Sequence, residues 1–101
     1  MAPKSPRAPK KLSEPEIAKA LARLEGWERD DQTIRKLYTF NAFADGIRFV
    51  DRVAAAADAV DHHPDIDIRY TTVVMALSTH SAGGLTAKDF QLAEAIDRLL
   101  P

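Results

Sequence analysis

The chain has no cysteine. Disulfide cross-links, thiolate nucleophiles and zinc–thiolate centres are therefore excluded, and the lack is in keeping with a reducing, cytoplasmic setting. Histidine is almost as scarce, with three residues in 101. Of the four glycines, none lies in the Gly-x-Ser-x-Gly elbow of a serine hydrolase or in a phosphate loop ending Gly-Lys-Ser/Thr. No apolar run approaches the ~20 residues of a membrane-spanning helix. The N-terminus is basic but lacks the apolar core of a secretory signal.

Charge is present but unevenly spread. The whole chain carries −1, yet residues 1–11 hold Lys4, Arg7, Lys10 and Lys11 and no acid, which leaves −5 for residues 12–101. A net acidic globular part offers no phosphate-binding face, so no nucleic-acid partner is expected. Residues 1–11 also contain Pro3, Pro6 and Pro9 and almost nothing to bury. They read as a disordered, basic tail. Residues 12–101 suffice for one domain with a single core.

Along that domain, Ser13 and Glu16 form a capping-box pattern, with Pro15 in the first turn. Ile17, Leu21 and Leu24 then share a face, and Gly26 reads as the helix end. Trp27–Asp30 and Thr33–Phe40 read as strands around a turn at Asp30–Gln32. Asn41 reads as the cap of a second helix, on which Phe43, Ile47, Val50, Ala54 and Ala57 form an apolar stripe. Pro64 stops that helix near Asp61 or His62. Ile66, Ile68 and Tyr70 share one parity while Val73, Met75 and Leu77 share the other, which predicts a turn near Thr71. Thr86 reads as the cap of a last helix, with Asp89 as its box partner. The order is α-β-β-α-β-β-α: an α+β fold with a four-stranded antiparallel sheet and three helices on one face. The strand holding Val73, Met75 and Leu77 is expected either at a homo-oligomer interface or in the monomer core.

All three histidines fall between residues 62 and 80. Imidazole is the side chain that exchanges protons near neutral pH. Asp58 and His62 are four apart and meet if the helix persists. Ser78-Thr79-His80 ends a strand and opens a glycine-containing loop, where pocket groups usually sit. Plainer readings exist: His62 and His63 as helix-terminus residues, Asp89 as a capping carboxylate only, Gly83-Gly84 as a tight turn. Three histidines and an aspartate also contain zinc-type donors, but adjacent histidines lack the i, i+4 spacing of a ready bidentate site. Spacing alone gives an acid–base site on a small α+β domain.

With these residues in view, the sequence resembles the pterin-4a-carbinolamine dehydratase family over about residues 12–101. The pattern is Asp58, His62-His63-Pro64, Tyr70 and His80, flanked by Gly26-Trp27, Asn41-Ala42-Phe43, Arg52, Ser78-Thr79, Gly83-Gly84-Leu85-Thr86 and Asp89. Two positions depart from it: Asp58 where glutamate is common, and Ile66 where tryptophan is common.

The resemblance implies dehydration of a 4a-hydroxy-tetrahydropterin to a quinonoid dihydropterin, with no metal or organic cofactor. It implies His62 and His80 as alternative general acids and His63 as the group that binds and orients the substrate. Asp61, Ser78 and Thr79 would hydrogen-bond the ring, Asp58 would orient His62 or contact the pterin, and Asp89 would support His80 or serve only as a cap. It further implies a homodimer or homotetramer. The alternative is an oligomeric binding module that keeps the fold without the activity.

Overall fold

The computed structural model describes residues 10–100. The expected tail falls largely on residues 1–9, which lie outside the described residues, as does Pro101. The elements are α1 (Glu14–Leu21), β1 (Glu28–Asp30), β2 (Thr33–Thr39), α2 (Phe43–Val60), β3 (Asp65–Arg69), β4 (Thr72–Leu77), a 3-10 turn (His80–Ala82) and α3 (Ala87–Asp97). The order is the one the sequence predicts. All strand pairs are antiparallel, in the spatial order β1-β2-β4-β3.

Register decides which face is covered. Opposed residues in an antiparallel pair point to the same side. Ile34 faces Leu77 and Tyr38 faces Val73, while Ile66 faces Met75. Val73, Met75 and Leu77 are fully buried, and the core they form includes Ile17 of α1, Phe49 and Val53 of α2, and Phe90 and Ile96 of α3. All three helices therefore serve one face. Burying a side chain such as Phe49 stabilises the fold by about 1.5–3 kcal/mol. The opposite face is open, with Leu37 60% exposed.

Of the two fates expected for Val73, Met75 and Leu77, the structure selects the core. β4 lies between β2 and β3, and the edges are β1 and β3. Every residue of β3 is exposed, because the helices do not reach fully over that edge.

Both capping boxes form. Ser13 Oγ accepts from Glu16 N–H while Glu16 Oε1 accepts from Ser13 N–H; Asp89 does the same for Thr86. The turn expected near Thr71 is the two-residue connection Tyr70–Thr71, since Arg69 pairs with Thr72.

Three local expectations differ. Helix α1 ends at Leu21, five residues before Gly26. The N–H groups of Arg23 and Leu24 turn back to the carbonyls three residues earlier, which tightens and closes the helix. Gly26, at φ +84°, turns the chain into β1. Ala42, and not Asn41, is the N-cap of α2, with no side-chain cap bond. Phe40 N–H still bonds Thr71 O at 2.9 Å, so extended backbone runs past Asn41. The buried face of α2 is Gly46, Phe49, Val53 and Ala57, sharing only Ala57 with the expected stripe. Gly46 explains the change of phase. A Cβ there would meet Phe40 Cδ2 at 3.3 Å and Val73 Cγ2 at 3.4 Å, so its absence lets the helix approach the sheet.

At the other end of the sheet, Asp97 ties α3 to β2 and to the residue before β1. It accepts from Trp27 Nε1 (3.0 Å), Lys36 Nζ (2.9 Å) and Tyr38 Oη (2.6 Å). Burial, then the hydrogen bond to Asp97 and its charge, push the Tyr38 phenol far above its ordinary range.

Candidate active site

The site is built at the C-terminal end of α2. Helix α2 closes at Asp61, which takes a left-handed conformation at φ 49°. Its N–H reaches back to Ala57 O and Asp58 O, and His62 N–H bonds Ala57 O at 3.2 Å. This closure satisfies terminal carbonyls, and the two residues that follow end in different surroundings.

His62 is held inside. Its side chain is 11% exposed, and Nε2 lies 2.6 Å from Oδ1 of the fully buried Asp89. The other oxygen of Asp89 accepts from Thr79 Oγ1 at 2.8 Å and from Thr86 N–H at 3.0 Å. Thr79 and Thr86 hydroxyls meet at 2.8 Å. His62 also lines a groove of about 450 Å³ between α2 and α3, with Ala56, Ala59, Val60 and Leu92.

His63 is held outside. Its side chain is 55% exposed, and Nε2 lies 2.8 Å from Oδ1 of Asp58, itself 79% exposed. The carboxylates thus pair differently from the expectation. Asp58 meets His63 and not His62, because the left-handed turn at Asp61 takes His62 off the helix face on which Asp58 lies. Asp89 meets His62 and not His80, because α3 starts beside the buried strand end.

His80 opens the 3-10 turn and is exposed. The turn is clamped by Thr79 and Gly84, which exchange N–H···O bonds of 3.0 and 3.3 Å. Gly83 closes it at φ 71°. No side-chain hydrogen bond to the His80 ring occurs among the described residues. Ser78 is half-buried between β4 and this clamp, and Asp61 is exposed.

The structure therefore links His62, Asp89 and Thr79 through hydrogen bonds, with His80 next to Thr79 in the chain. Asp58 and His63 form a separate surface pair. Among the described residues, no three His, Asp or Glu side chains converge as metal ligands. Tyr70 follows the far end of β3, about 17 Å by strand rise from Asp65, where that strand begins after His62-His63-Pro64. It is 76% exposed. Thr86 belongs to the hydrogen-bonded group, although the sequence marked it only as a cap. Its short distance to Thr79 depends on the loop closing through Gly84, which no local pattern encodes.

Chemically, two imidazoles have one nitrogen committed to a carboxylate and one nitrogen left over. A third imidazole, that of His80, has no side-chain partner among the described residues. Such an arrangement can donate and accept protons at more than one position around a bound ring.

Fold and site together define a small α+β protein with helices on one face of an antiparallel sheet and imidazole–carboxylate pairs at the sheet's end. The family model described as pterin 4 alpha carbinolamine dehydratase matches residues 10–99, and the chain belongs to that family. A protein of Mycobacteroides abscessus that bears the provisional name pterin-4-alpha-carbinolamine dehydratase is 56% identical over 86 residues, 85% of this chain and 92% of that one. The crystal structure of a transcriptional coactivator/pterin dehydratase from Brucella melitensis has a TM-score of 0.87 at 30% identity, covering 91% of this chain and 100% of that one. A pterin dehydratase-like protein identified as a RuBisCO assembly factor in the alpha-carboxysome shares the fold, with a TM-score of 0.61 at 23% identity over 73% of this chain and 86% of that one.

Proposed function

We propose that this chain is a hydro-lyase that removes water from a 4a-hydroxy-tetrahydropterin and yields the quinonoid dihydropterin. The observation that carries this reading is the grouping of imidazole–carboxylate pairs at one end of the sheet: His62 with Asp89, His63 with Asp58, and His80 one residue from Thr79. Family membership supplies the substrate class.

The 4a carbon of the substrate bears a hydroxyl and the N5 amine. The N5 lone pair expels the hydroxyl when an acid protonates it, and a ring N–H proton is then lost to a base. Atoms balance as one water released. In this reading His62 and His80 act as the acids for the two faces of the ring, and His63 binds and orients it. Asp61, Ser78 and Thr79 hydrogen-bond the pterin, Asp58 steadies His63, and Asp89 steadies His62. Ile66, 36% exposed on the edge strand, gives an apolar wall without aromatic stacking. No step calls for a metal or organic cofactor. Acid–base assistance of this kind is worth about 10²–10⁴-fold.

The same reading places residues 12–101 as the one catalytic domain, outside the basic tail. It assigns the enzyme to tetrahydrobiopterin recycling or a related pterin pathway, in the cytoplasm, and to a homodimer or homotetramer, for which the exposed edge β3 is a ready pairing surface.

The test is an assay of purified protein on a freshly generated 4a-carbinolamine. Dehydration should accelerate and should persist in chelator. His62→Ala and His63→Ala should each lower the rate at least about tenfold, at or below the low end of a single acid–base contribution. Wild-type rates in both variants would reject the site.

A further inference from the structure

We propose that Thr86 is a positioning residue for His62, acting through a buried hydrogen-bond chain from Thr86 to Thr79 to Asp89. The proposal rests on the reading of His62 as an acid–base group. It assigns the direction of every proton in the chain and the nitrogen of His62 that is left for chemistry.

The argument is a count of donors and acceptors. Thr79, Thr86 and Asp89 are 4%, 1% and 0% exposed, so they are shielded from bulk water and their hydrogen bonds are those made within the protein. An ionised carboxylate only accepts. Asp89 Oδ2 lies 2.8 Å from Thr79 Oγ1, so the Thr79 hydroxyl proton is directed to Asp89. The 2.8 Å contact between the two threonine hydroxyls then needs the Thr86 proton, with Thr79 Oγ1 accepting. Thr86 Oγ1 in turn accepts from Lys88 N–H at 3.2 Å, and Thr86 N–H adds a second donor to Oδ2 at 3.0 Å.

Oδ2 is thus saturated, and Oδ1 is left to the His62 ring at 2.6 Å. That ring must present Nε2–H inward. The hydrogen bond made by one ring nitrogen sets the state of the other. Nδ1 is consequently the nitrogen of His62 that takes and gives protons.

Thr86 also caps α3, so its role as a cap must be separated from its role in the chain. Thr86→Val removes the proton that holds Thr79 in place. Thr86→Ser keeps both the cap and the donor. The deciding readout is the tautomer of neutral His62, from its ring nitrogen shifts in labelled protein, with the signal assigned by His62→Gln. The wild-type ring is expected as the Nε2–H tautomer; Thr86→Val, in which Thr79 is free to turn away from Oδ2 and Asp89 to swing off the ring, as a mixture of both; and Thr86→Ser as wild type. In the dehydratase assay, Thr86→Val should lower kcat about tenfold, at or below the low end of the acid–base range, with KM changed less than twofold.

A wild-type ring found as the Nδ1–H tautomer overturns the proposal, and this measurement needs no variant to fold. A Thr86→Val protein that keeps the wild-type tautomer and kcat also overturns it. The nitrogen shifts do not depend on turnover. A chain with no dehydratase activity but with the expected shifts would retain the positioning role of Thr86 and remove the functional reading.

Discussion

His63 Nε2 lies 2.8 Å from Oδ1 of Asp58, five residues back along the chain and one position beyond the histidine that helical spacing would have paired with it. The pair stands in solvent, where an ion pair contributes about 0–1 kcal/mol to stability. On the proposed reading its value is in aiming the ring. Asp58→Ala should leave the melting temperature within about two degrees, since surface substitutions usually change stability by less than ~0.5 kcal/mol. Because His63 is assigned to substrate orientation, KM for the carbinolamine should rise several-fold while kcat falls less. Steady-state kinetics beside a thermal melt checks both halves.

Asp89 is the opposite case. Asp89→Ala removes a fully buried carboxylate and strands Thr79, Thr86 N–H and His62. Each unsatisfied buried group costs about 1–3 kcal/mol. A loss of at least ~2 kcal/mol is expected by urea unfolding, together with a fall in kcat of about 100-fold. Full activity in this variant would separate His62 from the reaction.

Asp97 gives a control remote from the chemistry. Asp97→Ala removes the shared acceptor of Trp27, Lys36 and Tyr38. Hydrogen bonds to charged groups contribute ~1.5–3 kcal/mol, so the melting temperature should drop by roughly 10 °C for a domain of this size. Activity per folded molecule at 20 °C should stay unchanged, because α3 runs about 12 Å from Asp89 to Asp97.

The pH limits come from two ends of the scale. The bonds from Ser13 hold Glu16 below its ordinary 4.5, and Arg29 does the same for Glu14. Both depressed groups contribute stability that is present above the unfolded value and is lost as pH falls through the folded one. Helix α1 should therefore loosen first below pH 4.5, seen as faster amide exchange at Ile17–Ala20. Tyr38 runs the other way. Its raised folded value means its contribution is intact below pH 10 and declines as pH rises above it. The phenol should stay protonated, with no tyrosinate absorption from Tyr38 until the fold opens.

What could be read from the chain was what lies within a turn or two. The Ser13–Glu16 and Thr86–Asp89 boxes follow from side chains three residues apart. The β3–β4 hairpin follows from the parity change between Tyr70 and Val73. Position along the sheet was not readable, because the placing of β4 between β2 and β3 depends on which edges meet. The phase of α2 depended on Gly46, whose lack of a side chain carries no hydrophobic signal yet decides where the helix touches Val73. The three histidines and their carboxylates were all visible as candidates. Their pairing was not, since Asp89 reaches His62 across 27 residues.

Adjacent in the chain, His62 and His63 differ fivefold in side-chain exposure, 11% against 55%. The consequence is a difference in timescale. Exposed side chains change rotamer in picoseconds to nanoseconds, whereas groups locked in a buried network move only when that network opens, in microseconds or longer. On the proposed reading, His63 follows an arriving ring and readjusts many times during one encounter, whereas His62 stays fixed and the substrate comes to it. One peptide bond thus joins a fast imidazole to a slow one, and nitrogen relaxation on the two rings would record them as separate clocks.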